Sequence, residues 1–333
     1  MKPGILVTRA MFPEVLERLR ETFDVIDNQA DFDYPPEALA ERLQGRVGLL
    51  SNAADTINAE LISRVPTLRA VCNMAVGYNN FDLAAMTRAG ILATNTPDIL
   101  TETTADFGWA LLMAAARRVS ESERWLRSGQ WKRWTYDTFL GAEVYGSTLG
   151  ILGMGRIGQA LARRASGFSM RVIYHNRSRL SPEVERDTRA TYVSKDDLLK
   201  QADHLVLVLP YSKESHHAIG AAELAQMKPT ATLVNLARGG IVDDAALAQA
   251  LADKRIFAAG LDVYEGEPKV HPALLEAEHV ALTPHIASAT FGTRLGMANL
   301  AADNLIAALG FGPRAGQPPN LLNPDALAQR ASS

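Results

Sequence analysis

Apolar residues in this chain recur in two rhythms, short unbroken runs and stretches where they return every three or four positions. In the first hundred residues the runs at 5–7, 23–26, 47–51, 68–72 and 91–94 read as strands. The stretches 13–20, 36–42, 57–64 and 83–89 read as helices, the first two opened by Pro13 and Pro36. Alternation at these lengths predicts βαβ units and a parallel sheet. Residues 101–128, TETTADFGWALLMAAARRVSESERWLRS, predict one long helix, apolar over 107–116 and weakened slightly by Gly108. Thr101, Glu102 and Thr104 serve its N-terminus and Gly129 stops it. Such a helix suits a bridge between domains or a dimer element. The connection 129–147 follows, and loops of that length are uncommon without a role.

A second series begins with the strand 149–152, the helix 159–168 and the strand 171–174. Strands 204–209, 231–236, 256–261 and 280–283 follow, with helices at 194–200, 222–226 and 243–252. Their β-rich apolar character predicts buried parallel strands. A long amphipathic helix, 288–309, and a proline-bearing tail from Gly310 close the chain, the tail predicted as a surface strap. The expected fold is therefore α/β, with two Rossmann-like doubly wound parallel sheets and a cleft between their domains. If the last helix returns to the first unit, residues 1–100 plus 288–333 form a discontinuous domain into which 101–287 is inserted.

The glycines between the first strand and helix of the second series give it chemistry. Gly153-Met154-Gly155-Arg156-Ile157-Gly158 stands where strand becomes helix. Spacing of this kind permits a tight turn, a close approach of backbone to a pyrophosphate, and close helix–strand packing. The helix start offers unpaired N–H groups to the anion. A dinucleotide site is predicted, with Gly153, Gly155, Arg156, Ile157 and Gly158 in contact with the cofactor. About 20 residues further on, an NAD site usually carries Asp or Glu for the ribose hydroxyls. Here the strand ends in His175-Asn176-Arg177-Ser178-Arg179, with Asn176 at the expected position. An acid would repel a 2′-phosphate and an Arg would bind one. Asn176, Arg177 and Ser178 thus predict NADPH in preference to NADH.

Composition narrows the setting. The chain has 333 residues, enough for two cores, and its net charge of −3 offers no general basic field for nucleic acid or an anionic membrane. No apolar run approaches a membrane span, and MKPGILVTRAMFPE does not resemble a signal peptide. The single cysteine, Cys72, excludes an intrachain disulfide and fits the reducing cytoplasm; inside its apolar run it reads as a buried strand thiol. His204 opens a strand, His175 lies beside the expected phosphate position, and His271 and His279 flank a loop. His216 and His217 are adjacent and are not expected to share a face. No metal is predicted.

Three later segments place ionisable residues just after buried strands, where doubly wound sheets put their active sites. They are NLARGG with Arg238, LDVYEGEP with Asp262, Glu265 and Glu267, and TPHIAS with His285. Hydride transfer to a ketone needs a proton for the new alkoxide and a positive group for the developing charge. A His and an Arg suit these tasks, and a carboxylate on the other ring nitrogen favours the imidazolium. A loop salt bridge, a solvated Glu and a backbone-satisfied His remain the bland alternatives.

NLARGGIVDD, AAGLDVYEGEP and TPHIASAT, in this order after GMGRIG, resemble the signatures of the D-isomer-specific 2-hydroxyacid dehydrogenases. Within that family, ETTADFGWALLMAAARRV, LGILGMGRIGQALARRA and NLLNPDAL are similar to bacterial glyoxylate/hydroxypyruvate reductases, also described as 2-ketogluconate reductases. The resemblance implies that Arg238 binds the substrate carboxylate and keto oxygen, that His285 is the proton donor in reduction, and that Glu267, rather than Glu265, keeps His285 protonated. It implies that Asp262 faces the nicotinamide, and that Leu209, Pro210, Leu236 and Ala237 line the cofactor. Backbone N–H groups of Val76 and Gly77 would hold the substrate carboxylate, although a turn capping the next helix accounts for Gly77 equally well. From 129–147, the part that departs most from the reductase pattern, Trp134 is the candidate to reach the neighbouring subunit of a homodimer. An ordinary core or interface Trp is its alternative.

The implied activity is NADPH-dependent reduction of small 2-keto acids, glyoxylate and hydroxypyruvate first and 2-keto-D-gluconate as a further candidate. Glu267 stands where formate dehydrogenases have Gln, and Asn176 where D-lactate dehydrogenases usually have Asp. Phosphite dehydrogenase shares the Arg, Glu and His and is not separated by them. A dinucleotide-sensing binding protein on the same fold is the rival from another class.

Overall fold

The computed structural model describes residues 1–331, and the chain forms two compact units. Met1–Leu100 and the chain from Thr290 onward make the first, Thr101–Ala289 the second. The first carries β1 (Gly4–Val7), α1 (Pro13–Thr22), β2 (Asp24–Ile26), α2 (Pro36–Arg42), β3 (Gly48–Ser51), α3 (Ala59–Arg64), β4 (Ala70–Asn73), α4 (Leu83–Arg88) and β5 (Leu92–Thr94). Its strands are parallel in the order β2-β1-β3-β4-β5. Because β4 is buried along its whole length, its residues need apolar partners on both faces. One face packs on α1 and the long C-terminal helix Phe291–Ala308 through Leu16, Ala298, Ala301 and Leu305. The other packs on α2, α3 and α4 through Leu39, Leu61 and Met86. Cys72 is buried in the first of these two cores, beside α1 and the C-terminal helix, and burial pushes its thiol up to about 12.

The tail does run as a strap, with a function in the sheet. Leu321 bridges Thr94 antiparallel, the Asn323 side chain accepts from Ala93 N–H at 2.8 Å, and its amide donates to Ile91 O at 2.9 Å. The exposed backbone edge of β5 is thereby satisfied. A short helix, Ala326–Ala331, follows, and periodicity did not predict it.

The second unit contains α5 (Thr101–Ala116), α6 (Val119–Arg127), β6 (Thr148–Leu152), α7 (Arg156–Ala165), β7 (Arg171–His175), α8 (Pro182–Thr188), β8 (Ala190–Tyr192), α9 (Lys195–Gln201), β9 (His204–Leu207), α10 (Ala221–Leu224), β10 (Thr232–Asn235), α11 (Asp244–Ala252), β11 (Ala258–Leu261), α12 (Pro272–Glu276) and β12 (Val280–Leu282). All seven strands are parallel, in the order β12-β11-β10-β9-β6-β7-β8. Helices cover both faces, α5 and α7 on one core and α9 to α12 on the other. The order reverses beside β6, so the glycine segment leaves the sheet at its topological switch point. β8 and α8 went unpredicted because 179–193 is too polar and too short to show either period. Among the described residues no helix is long and apolar enough to cross a membrane.

The expected single helix 101–128 is two helices. Arg118 adopts φ 54°, the left-handed region, between α5 and α6. Residues far along the chain stabilise this break. Ala142 N–H caps the Ala116 carbonyl at 2.8 Å, and the Arg118 guanidinium lies 4.8 Å from the Phe139 ring centre while binding Glu121 through two nitrogens. α5 belongs wholly to the second unit, where Trp109 stacks on Phe168 with ring centres 4.7 Å apart.

Candidate active site

The three glycines after β6 have three separate constraints. Gly153 sits at φ +102°, and a Cβ there would lie 2.6 Å from Leu209 N. A Cβ on Gly158 would lie 2.5 Å from Gly153 O, so helix and turn touch backbone to backbone. Gly155 has nothing within 4 Å of its Cβ position, leaving open space at the start of α7, whose first residues are Arg156 and Ile157. A pyrophosphate has room to approach the helix N-terminus there.

At the end of β7 the side-chain oxygen of Asn176 accepts from Met154 N–H at 2.6 Å, so this residue ties the glycine turn to the next strand. Arg177 and Ser178 are exposed beyond it. Arg179 binds both oxygens of Glu185 at 2.8 Å, and Tyr174 Oη donates to the same carboxylate at 2.8 Å. The Arg179 hydrogen bond, then that of Tyr174, hold Glu185 down at about 2. Of the two arginines at this strand end, Arg179 is thus engaged by a carboxylate, and no hydrogen bond among the described residues engages Arg177, the one expected at the phosphate. Leu209 lies against Gly153 and Pro210 follows it, exposed, while Leu236 and Ala237 are buried just beyond β10.

Arg238, Glu267 and His285 lie just beyond the ends of β10, β11 and β12, which are adjacent in the sheet. His285 Nδ1 and Glu267 Oε2 are 2.8 Å apart, and Tyr264 N–H donates to Glu267 Oε1 at 2.9 Å. Burial alone would raise the Glu267 pKa, but the His285 hydrogen bond and charge, the Tyr264 N–H and Arg238 outweigh it and leave the carboxyl below its ordinary value. Burial depresses the Arg238 guanidinium, with Glu267 opposing. Arginine nevertheless keeps its charge in proteins. Glu265, the alternative partner, instead faces His217 at 2.9 Å. A depression of about 300 Å³ beside the pair is lined by Tyr264, Val270, Leu282 and Pro284 among others.

Sequence reasoning missed what holds this set in place. Asp262 is fully buried, and its carboxylate accepts from Thr283 Oγ1 at 2.7 Å and from the N–H groups of Ile286 and Ala287 at 2.8 Å. His285 N–H donates to the Asp262 carbonyl at 2.9 Å, with His285 at φ 54°. Asp262 therefore anchors the His285 turn with its oxygens already occupied. Gly239 is the other unmarked device: a Cβ there would fall 1.7 Å from Tyr264 O, so the Arg238 turn and the Glu267 loop touch through bare backbone.

In the first unit, Asn95 Nδ2 donates to Val76 O at 2.8 Å and Asn73 Nδ2 to Gly77 O at 2.7 Å. With the carbonyls held this way, no hydrogen bond among the described residues uses the Val76 or Gly77 N–H. Trp134 is 67% exposed, its ring edge-to-face on Tyr136, and no hydrogen bond joins it to Arg238, Glu267 or His285. The expectation that His216 and His217 do not share a face fails. His217 is left-handed at φ 49°, which brings the two rings to a stack with centres 3.9 Å apart.

A parallel doubly wound sheet with a glycine turn at its switch point, followed by basic and acidic groups on neighbouring strand ends, defines a dinucleotide-dependent oxidoreductase class. Residues 109–287 match the family model "D-isomer specific 2-hydroxyacid dehydrogenase, NAD binding domain". A glyoxylate reductase of Thermococcus gammatolerans is 49% identical over 92% of this chain and 93% of its own. The NADPH-dependent glyoxylate/hydroxypyruvate reductase of Sinorhizobium meliloti, solved with NADP and malonate, superposes with a TM-score of 0.86 at 33% identity, covering 98% of both chains. A glyoxylate reductase from Paecilomyes thermophila gives the same TM-score at 34% identity, covering 96% of this chain and 98% of its own. The chain belongs to the D-isomer-specific 2-hydroxyacid dehydrogenase family and is an oxidoreductase with a nicotinamide-cofactor domain.

Proposed function

We propose that this protein reduces small 2-keto acids to D-2-hydroxyacids with NADPH, taking glyoxylate and hydroxypyruvate first and 2-keto-D-gluconate as a further substrate. The observation that carries the reading is the Glu267–His285 pair at 2.8 Å, with Arg238 on the adjoining strand end. The open space at Gly155, next to the tight left-handed turn at Gly153, fits a dinucleotide. When bound, the reduced nicotinamide supplies the hydride. Arg238 holds the substrate carboxylate and polarises the keto oxygen, which takes a proton from His285 Nε2 as the carbon is reduced. Glu267, below its ordinary pKa and therefore ionised, stabilises the imidazolium from Nδ1. Asp262 acts by positioning this His285 turn and, as the sequence resemblance implied, lies toward the nicotinamide side. Val76 and Gly77 offer N–H donors to the substrate carboxylate.

The absence of an acid at Asn176 and the exposure of Arg177 support NADPH, as does the NADPH dependence named for the Sinorhizobium relative. The names of the glyoxylate reductase relatives support the substrate class. Residues 1–100 with 288–333 serve as substrate domain and 101–287 as cofactor domain. A homodimer is favoured by the exposed apolar residues Val119, Leu126, Trp131, Trp134, Tyr136 and Leu140, with Trp134 directed to the neighbouring subunit. A cytoplasmic location accords with a lone, buried Cys72.

A panel of 2-keto acids, formate and phosphite with both cofactors, read by absorbance of the reduced nicotinamide, tests the assignment. His285→Ala should abolish turnover with NADPH binding retained, and Arg177→Ala should weaken NADPH far more than NADH. Turnover surviving the first change overturns the catalytic role. Equal losses in the second overturn the phosphate role.

A further inference from the structure

The second unit holds one cluster of metal-ligating side chains that the reduction chemistry leaves unused. One ligand atom each from His216, His217 and Glu265 lies within 4.8 Å of the others. His217 Nε2 is 2.9 Å from Glu265 Oε2, while the Asp243 carboxylate stands 3.8 Å from the other nitrogen of the same ring. The His217 main chain is fixed by its N–H to Gly240 O at 2.7 Å. Glu265 N–H is in turn fixed by the Asp244 carboxylate at 3.0 Å. Two of the three ligand carriers thus sit on backbone that is already held, and carboxylates surround them.

The geometry points to a transition-metal site of the zinc class, with His216, His217 and Glu265 as ligands and water completing the shell. Tetrahedral Zn²⁺ takes imidazole and carboxylate ligands at about 2.0–2.2 Å, which spaces their atoms about 3.3 Å apart. The His217–Glu265 pair is already near that spacing. His216 must turn its ring out of the stack on His217 to reach the same ion; its side chain is exposed and its one hydrogen bond is the 3.2 Å contact to Tyr211 Oη. Two imidazoles select zinc-like ions over Mg²⁺ or Ca²⁺, which prefer all-oxygen sets. The Asp243 carboxylate, 3.8 Å from the second nitrogen of His217, is too far for a hydrogen bond and would have to close by about 1 Å to form the carboxylate–histidine–metal arrangement that raises ligand basicity. A bound ion would clamp the 211–217 loop to the loop that carries Glu267 two residues past Glu265.

The test uses the full chain stripped of metal with a chelator and titrated with Zn²⁺ by calorimetry, with Co²⁺ visible absorption and thermal denaturation in parallel. One saturable ion per chain and a raised Tm are expected. His216→Ala and Glu265→Gln, both exposed positions outside the reducing site, should each weaken binding at least about tenfold and remove the Tm rise. No saturable binding to the wild type overturns the site. Unchanged affinity in both variants does so as well, as does binding lost only with His285→Ala, which would place the ion on the Glu267–His285 pair.

Discussion

Asp262→Asn probes how the His285 turn is held. The wild-type carboxylate accepts three hydrogen bonds while fully buried, two of them from the main chain of the turn that follows His285. Asparagine keeps the shape and one acceptor. In its cheaper orientation the carbonyl serves Thr283 and Ile286, and the NH₂ group meets the Ala287 N–H donor at a site built for an acceptor. A hydrogen bond to an ionised group contributes about 1.5–3 kcal/mol, so losing one and opposing two donors costs about 2–4 kcal/mol. That is a large part of the roughly 5–15 kcal/mol of a native protein, yet leaves it folded. Relief of the clash moves the turn and His285 with it, and a displacement near 1 Å costs about 100-fold in rate. Urea denaturation and steady-state kinetics read the two effects separately. Wild-type stability together with wild-type kcat would refute the anchoring role. A change confined to cofactor affinity would make Asp262 a cofactor contact alone.

Gly239→Ala should lower kcat at least about tenfold, because the added methyl meets a main-chain oxygen at 1.7 Å and must push the Arg238 turn away from the Glu267 loop. Cofactor binding, followed by nicotinamide fluorescence, should change less. The acid limb of stability should contain a part that belongs to Glu185. Its folded pKa is depressed to about 2 from an ordinary 4.5, so the unfolded chain binds its proton first. The contribution is present above 4.5 and lost as pH falls toward 2. Urea midpoints across that window should slope less in Glu185→Gln than in the wild type, and superimposable curves would dismiss the effect.

Most strands and the two-unit alternation were visible because buried parallel strands are uninterrupted apolar runs, and that period survives without any tertiary information. The GMGRIG turn, NLARGG, YEGEP and TPHIAS were visible because each needs particular residues at fixed short spacing. Arg238, Glu267 and His285 were legible one by one as ionisable residues just after buried strands, and the family resemblance, not the spacing, suggested their roles. What could not be read was how distant segments constrain one another. The break at Arg118 depends on Ala142 and Phe139, which lie outside any local window. The strap at Asn323 depends on the β5 edge it completes. Asp262 as anchor, Gly239 as backbone contact and the withdrawal of Arg179 by Glu185 are likewise pairings across sequence distance or across a turn. His216 and His217 show the limit most plainly. Adjacent side chains diverge in helix or strand, and only a left-handed residue, held by Gly240 from another loop, sets them together with Glu265. By itself the sequence determined which chemistry the chain carries, because residue types and local periods are properties of short segments. The tertiary structure decided which of those groups are engaged and which remain available, because hydrogen bonds and close contacts are made between segments that only the fold brings together.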